Sequence, residues 1–212
     1  MTRLAVATVA FVLAMPAASA AHRLDEYLQA ARVSLTREQI TLELDMTPGV
    51  NIAQALSGFL DRNGDGDISE GEARAYGDTV LADVVFELDG RPVPLTLTQV
   101  EIPSSAAMSD GMGTIQVRAH GPSQSVTSGR RQLYFRNDHQ PAASVYLVNA
   151  LMPEEAGVRV VAQARDPRQQ SLRVEYDVGP QRTAQVLWLV LAAVILLPLV
   201  ASRFSRESLT SA

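Results

Sequence analysis

A chain of 212 residues with 47% hydrophobic and 19% charged side chains can bury a core, which excludes an intrinsically disordered protein. It carries no cysteine, so neither disulfides nor thiol chemistry are open to it. Its net charge of −5, with arginine as its only basic residue type other than histidine, argues against nucleic acid as a partner, because such binding depends on neutralising phosphates.

In chain order, residues 1–20 read as a secretory signal peptide. Arg3 supplies the positive start, Leu4 to Met15 the apolar stretch, and Ala18 and Ala20 the small residues of a cleavage site. A cut one residue later would leave His22 as the mature N-terminus. Two stretches of period two follow. Ala31, Val33 and Leu35, then Ile40, Leu42, Leu44 and Met46, mark half-buried strands joined by a short turn at "TREQ".

The period then changes to three and four. From Thr47 to Leu60, with Pro48 suited to a first helical turn, the residues Ile52, Ala55, Leu56, Phe59 and Leu60 form one apolar helical face. Beyond an acidic loop, Ala73, Tyr76, Val80, Leu81 and Val84 do the same, so residues 48–85 are expected to be a helix–loop–helix. Strand signals return from Val85 in six short stretches separated by turn residues, with hairpin turns expected at "LDGRP" and "ARDPRQQ". Eight stretches of this kind predict a mainly β fold: an antiparallel β-sandwich with the helix–loop–helix inserted between its second and third strands.

Ala184 to Ala201 contains no charge and has the length of a bilayer-spanning helix, with Trp188 near one end and Arg203 and Arg206 past the other. The expected organisation is therefore a signal peptide, an exported domain over 21–183, a transmembrane helix over 184–202 and a short cytoplasmic tail over 203–212. The exported part would carry 15 arginines against 22 carboxylates, a net of −7.

The acidic loop "DRNGDGDISEGE", Asp61 to Glu72, concentrates five acidic side chains against one arginine, a net of −4 within twelve residues. Four uncompensated charges that close repel one another, and a bound dication would remove much of that cost. Position for position the loop resembles the calcium-binding loop of the EF-hand family. The resemblance implies Ca²⁺ ligation by the side chains of Asp61, Asn63 and Asp65, the carbonyl of Asp67, a water held by Ser69, and both oxygens of Glu72. It also implies a sharp turn with positive φ at Gly66 and a core-facing Ile68. Ser69 and Glu72 have in addition the spacing of a helix capping box. EF-hands usually work in pairs, and no second loop is found. A lone loop is expected to be a structural site, or a lone sensor acting with the sandwich, for which in an exported setting a dissociation constant of ~10⁻⁴ to 10⁻³ M would suffice.

The remaining constellations are weaker. His22, His120 and His139 are expected at a flexible terminus or at strand-end surfaces. Asp138 beside His139 is expected to form a turn and not a Ser-His-Asp site, since neighbours on a strand face opposite ways and no G-x-S-x-G elbow exists. Arg130, Arg131 and Arg136 read as a solvated strand face, and Tyr134 and Tyr146 as core or cross-strand partners. The function expected is a non-enzymatic, calcium-binding, single-span protein that acts as an interaction or assembly module, its main domain outside the cytoplasm and its partner an envelope or membrane protein. The alternatives are an accessory to nickel or copper transport and an envelope hydrolase. The first of these comes from a likeness of the strand-rich head to the head domains of hydrogenase/urease-type nickel permeases.

Overall fold

The computed structural model describes residues 25–123 and 128–180. The expected signal peptide, His22, the span over 184–202 and the tail over 203–212 lie outside the described residues. Among the described residues no helix is long and apolar enough to cross a membrane.

Alternating side chains build the first two strands, as their period requires. β1 (Tyr27–Leu35) and β2 (Gln39–Pro48) pair antiparallel from Tyr27 against Pro48 to Leu35 against Ile40. Ala31, Val33, Leu35, Ile40, Leu42, Leu44 and Met46 all point inward and are buried. Gln29 occupies an inward position of the same series and is 1% exposed. Two helices follow, α1 (Val50–Leu60) and α2 (Glu70–Ala82). β3 (Val84–Leu88) and the two-residue β4 (Arg91–Pro92) form a hairpin through Asp89 and Gly90, which adopt φ of 49° and 74° as a tight two-residue turn demands. β5 (Thr96–Glu101), a short helix α3 (Ser105–Ser109), β6 (Ile115–Pro122), β7 (Gly129–Asn137), β8 (Ser144–Ala150), β9 (Val158–Arg165) and β10 (Ser171–Val178) complete the order.

The strands form two five-stranded sheets, ordered β5-β6-β2-β1-β8 and β4-β3-β7-β10-β9. Inward residues of both join one apolar cluster, with Tyr27, Leu44 and Met46 from the first sheet against Phe86, Phe135, Leu172 and Val174 from the second. The expectation of a mainly β, two-sheet architecture is met. The eight stretches become ten strands because the run from Val84 to Glu101 folds back on itself twice. One pairing departs from the antiparallel expectation: β8 lies parallel to β1, with Tyr27 opposite Ser144. Period-two patterning sets which face a residue occupies but carries no strand direction, so this pairing left no mark in the sequence.

The helices lie between β2 and β3, as expected, with narrower bounds. Pro48 ends β2 instead of opening α1, because its missing N–H costs nothing at a strand end. Val84 opens β3 opposite Asn137 instead of closing α2. On α1 the buried face is Ala53, Leu56 and Leu60, while Ala55 is exposed and Phe59 is 72% exposed. Phe59 and Leu60 point about 100° apart, and it is Leu60, one turn beyond Leu56, that reaches the core.

Two glycines on these helices give opposite expectations for the same substitution. A Cβ at Gly58 meets nothing within 4 Å, so Gly58→Ala should gain most of the ~1 kcal/mol helix preference of alanine. A Cβ at Gly77 runs into Val100 Cγ2 and comes within 3.0 Å of Leu97 Cδ2, both on β5, where a β-branched neighbour yields little. Overpacking of that kind costs ~1–3 kcal/mol and outweighs the propensity gain, so Gly77→Ala should lower the melting temperature while Gly58→Ala raises it. Equal shifts in one direction would mean that α2 does not pack on β5 as described.

Candidate functional site

The acidic loop joins α1 to α2 and is exposed for most of its length. Its shape comes from carboxylates that accept its own amides. Asp61 Oδ1 accepts from the amides of Gly64 at 2.7 Å and Asp65 at 3.2 Å, and Oδ2 from Gly66 at 2.8 Å. Asn63 Oδ1 accepts from the Asp65 amide, and Asp65 Oδ1 from that of Asp67, both at 2.9 Å. Gly66 has φ of 91°, as the resemblance requires, and Gly64 turns likewise with φ of 73°. Ile68 is half-buried against the core cluster.

Ser69 and Glu72 form a reciprocal capping box at the start of α2. Glu72 does more than cap. Its Oε2 accepts from the Ser69 amide at 2.9 Å and hydroxyl at 2.7 Å, while Oε1 reaches back to the amides of Arg62 at 2.7 Å and Asn63 at 3.2 Å. These donors, led by the Ser69 hydroxyl and then its amide, hold the Glu72 carboxyl down at about 2. It therefore stays ionised throughout the neutral range.

Among the described residues, no three histidine, aspartate or glutamate side chains stand together closely enough to hold a metal ion. The six positions Asp61, Asn63, Asp65, Asp67, Ser69 and Glu72 fall in one loop and supply oxygen of the types a hard cation takes, so the donor chemistry fits calcium. In this geometry, though, the carboxylates of Asp61, Asp65 and Glu72 face amides and not a common centre.

A second constellation lies behind α2, and the sequence reading missed it. His139, expected at a strand-end surface, is 3% exposed. Its Nδ1 lies 2.8 Å from Asp83 Oδ2; a carboxylate only accepts, so Nδ1 carries the proton. Nε2 lies 3.2 Å from the Tyr76 hydroxyl, which lies 2.8 Å from that of Tyr27, and the Tyr27 hydroxyl is 3.7 Å from Met46 Sδ. The His139 amide donates to Asn137 Oδ1, and its carbonyl accepts from Gln29 Nε2 at 2.9 Å and the Tyr146 hydroxyl at 2.8 Å. Asn137 Nδ2 in turn donates to Gln29 Oε1 at 2.7 Å. His139 sits in the loop after β7 at the end of the sandwich where the helices leave, and the helical insertion covers it. A usable signal existed: Gln29 and Asn137 are polar at inward strand positions, and such groups require buried partners.

The remaining candidates can be placed. Asp138 turns away from His139 to Arg136, at 2.7 Å, and to Gln170. Both ring nitrogens of His139 are taken, and the nearby Ser144 hydroxyl bonds to the carbonyls of His139 and Gln140, so no Ser-His-Asp arrangement forms here. His120 is half-buried on β6. Arg130 pairs with Asp177 at 2.9 Å and with Glu175, which suits a solvated strand face. Arg131 departs from that reading, since it is mostly buried and lies 2.6 Å from Asp89. Tyr134 lies under the Arg173 guanidinium, and Tyr146 is 6% exposed, a buried cross-strand residue as expected. Compared with known proteins, the chain matches no family model and no curated protein.

Proposed function

We propose that this chain is a non-enzymatic, calcium-binding protein, exported and held by a single membrane span, whose inserted helix–loop–helix serves an interaction or assembly role at the envelope. The observation that carries the reading is the twelve-residue loop. Its oxygen donors stand at Asp61, Asn63, Asp65, Asp67, Ser69 and Glu72, Gly66 turns with positive φ, and a helix lies on each side. Calcium would replace amide hydrogens as the partner of the Asp61, Asp65 and Glu72 carboxylates, and offset the repulsion within a loop of net charge −4. Magnesium suits the set less well, because a bidentate glutamate at the twelfth position fits the larger ion.

With calcium at ~10 times its dissociation constant, linkage supplies ~1.4 kcal/mol. For a domain of this size that raises the melting temperature by ~3–6 °C. The test is a thermal melt of the purified full-length chain in mild detergent with and without millimolar calcium, using wild type and Asp61→Ala/Glu72→Ala. A calcium-dependent rise in the wild type that the double variant lacks supports the reading; a wild-type melt indifferent to calcium refutes it.

A further inference from the structure

The two helices of the insertion are held by different means. α2 is tied by polar contacts at two levels. In its middle, the Tyr76 hydroxyl meets Tyr27 of β1 and His139, and at its end Asp83 meets His139 Nδ1 through its carboxylate and accepts the Asp138 amide at 2.8 Å through its carbonyl. Gly77 further seats the helix on β5, with no room for a larger residue. Along its own length α1 is tied by polar contacts at its start alone, where the Gly49 amide donates to the Glu26 carbonyl at 2.8 Å and Asn51 Nδ2 to Asp25 at 2.5 Å; past its end, the Arg62 and Asn63 amides are held by Glu72. Beyond Asn51, among the described residues, no side chain of α1 makes a hydrogen bond or ion pair outside the helix, and its hold is the burial of Ala53, Leu56 and Leu60. Apolar contact is non-directional and tolerates sliding; a buried hydrogen-bonded chain does not.

We propose that the insertion has one fixed arm and one adjustable arm. α2 is bolted to the sandwich by the Asp83–His139–Tyr76–Tyr27 chain, and any closure of the acidic loop is taken up by the last turns of α1. Glu72 belongs to the fixed arm and already holds the amides of Arg62 and Asn63, on the adjustable side. Closure therefore draws Asp61, Asn63 and Asp65 toward Glu72, and it carries along the exposed Phe59, two residues before Asp61. Movement of the incoming helix past a stationary outgoing one would make Phe59 the apolar contact whose position reports the state of the loop.

The proposal has a test that does not involve calcium. Hydrogen exchange of the full-length chain in detergent is expected to show the amides of residues 76–82 exchanging about tenfold or more slowly than those of 56–60, as a unit tied by hydrogen bonds against one held by apolar contact. His139→Gln and Tyr76→Phe should each speed exchange in 76–82 and leave 56–60 unchanged. Equal protection of the two helices, or no response of α2 to either variant, overturns the proposal.

A second test rests on the calcium reading. Because the chain has no cysteine, spin labels can be placed in pairs at Phe59→Cys with Leu147→Cys and at Asp78→Cys with Leu147→Cys. Added calcium should change the first distance by on the order of 2 Å or more and leave the second in place. Calorimetry on the same samples separates the two ideas. Calcium heat with movement at Asp78 refutes the fixed arm and spares the calcium site. No calcium heat refutes the site, and the exchange pattern then decides for or against the fixed arm.

Discussion

His139→Ala should melt the full-length chain ~6–12 °C below wild type. The substitution removes a ring that is 3% exposed and leaves a cavity between α2 and both sheets. It also removes one of the two hydrogen-bond partners of the Tyr76 hydroxyl, which keeps Tyr27, and the Nδ1 partner of the partly exposed Asp83 carboxylate. The cavity and the lost hydrogen bonds together are worth ~3 kcal/mol, and a domain of this size loses ~2–4 °C per kcal/mol. Edge-on packing of the Tyr27 and Tyr76 rings against the imidazole, with centroids 6.2 Å and 5.7 Å away, is lost as well. Tyr146→Phe is the matched control, since it removes one hydrogen bond to the His139 carbonyl and no packing, for ~1 kcal/mol. If the two variants melt together, the ring is not the keystone that its contacts imply.

The fold should fail cooperatively between pH ~10 and ~12, with tyrosines as the cause. Burial pushes the Tyr27 hydroxyl well above its ordinary 10.0, the neighbouring Tyr76 adding to the effect. Burial likewise pushes Tyr76 and Tyr176 up to about 12. A raised acid binds its proton longer folded than unfolded. Its contribution is therefore whole below pH 10, where both states are protonated, and declines as pH rises toward the folded value. Each such tyrosine contributes a slope of up to ~1.4 kcal/mol per pH unit, so three give ~4 kcal/mol per unit, enough to exhaust a typical stability within the window. The phenolate absorbance of these three should rise together with loss of the far-ultraviolet β signal. Tyr27→Phe/Tyr76→Phe should be less stable at neutral pH yet lose stability less steeply in alkali. Ionisation of all five tyrosines before the fold is lost would refute the assignment.

Both predictions turn on residues whose importance the linear sequence hides. The inward residues of β1 and β2 were legible from period two, and the position of the insertion was legible from the change to period three and four, because each pattern is local. The turn in the acidic loop was legible for the same reason: the positive φ at Gly66 and the Ser69–Glu72 capping box are both fixed within twelve residues. The buried chain was not. Tyr27, Tyr76, Asp83 and His139 come from β1, the middle and end of α2, and the loop after β7, with separations of 49, 63 and 56 residues between bonded partners. No periodicity relates them. Phe59 was placed on the wrong face for a smaller reason: spacings of three and four are shared by two overlapping helical stripes, and the packing partner decides between them.

The parallel pairing of β8 with β1 has a consequence for the order in which the molecule can form. The partners Tyr27 and Ser144 are separated by more than a hundred residues, while β1 and β2 meet across a three-residue turn. Loop closure of that length comes late, after the local hairpins have condensed. β1 is thus made well before β8, and during that interval its outer edge stands open with unpaired amides and carbonyls. An open, apolar strand edge is the site at which one chain recruits another. A pairing that closes late is therefore also the one that protects a newly made molecule from its neighbours.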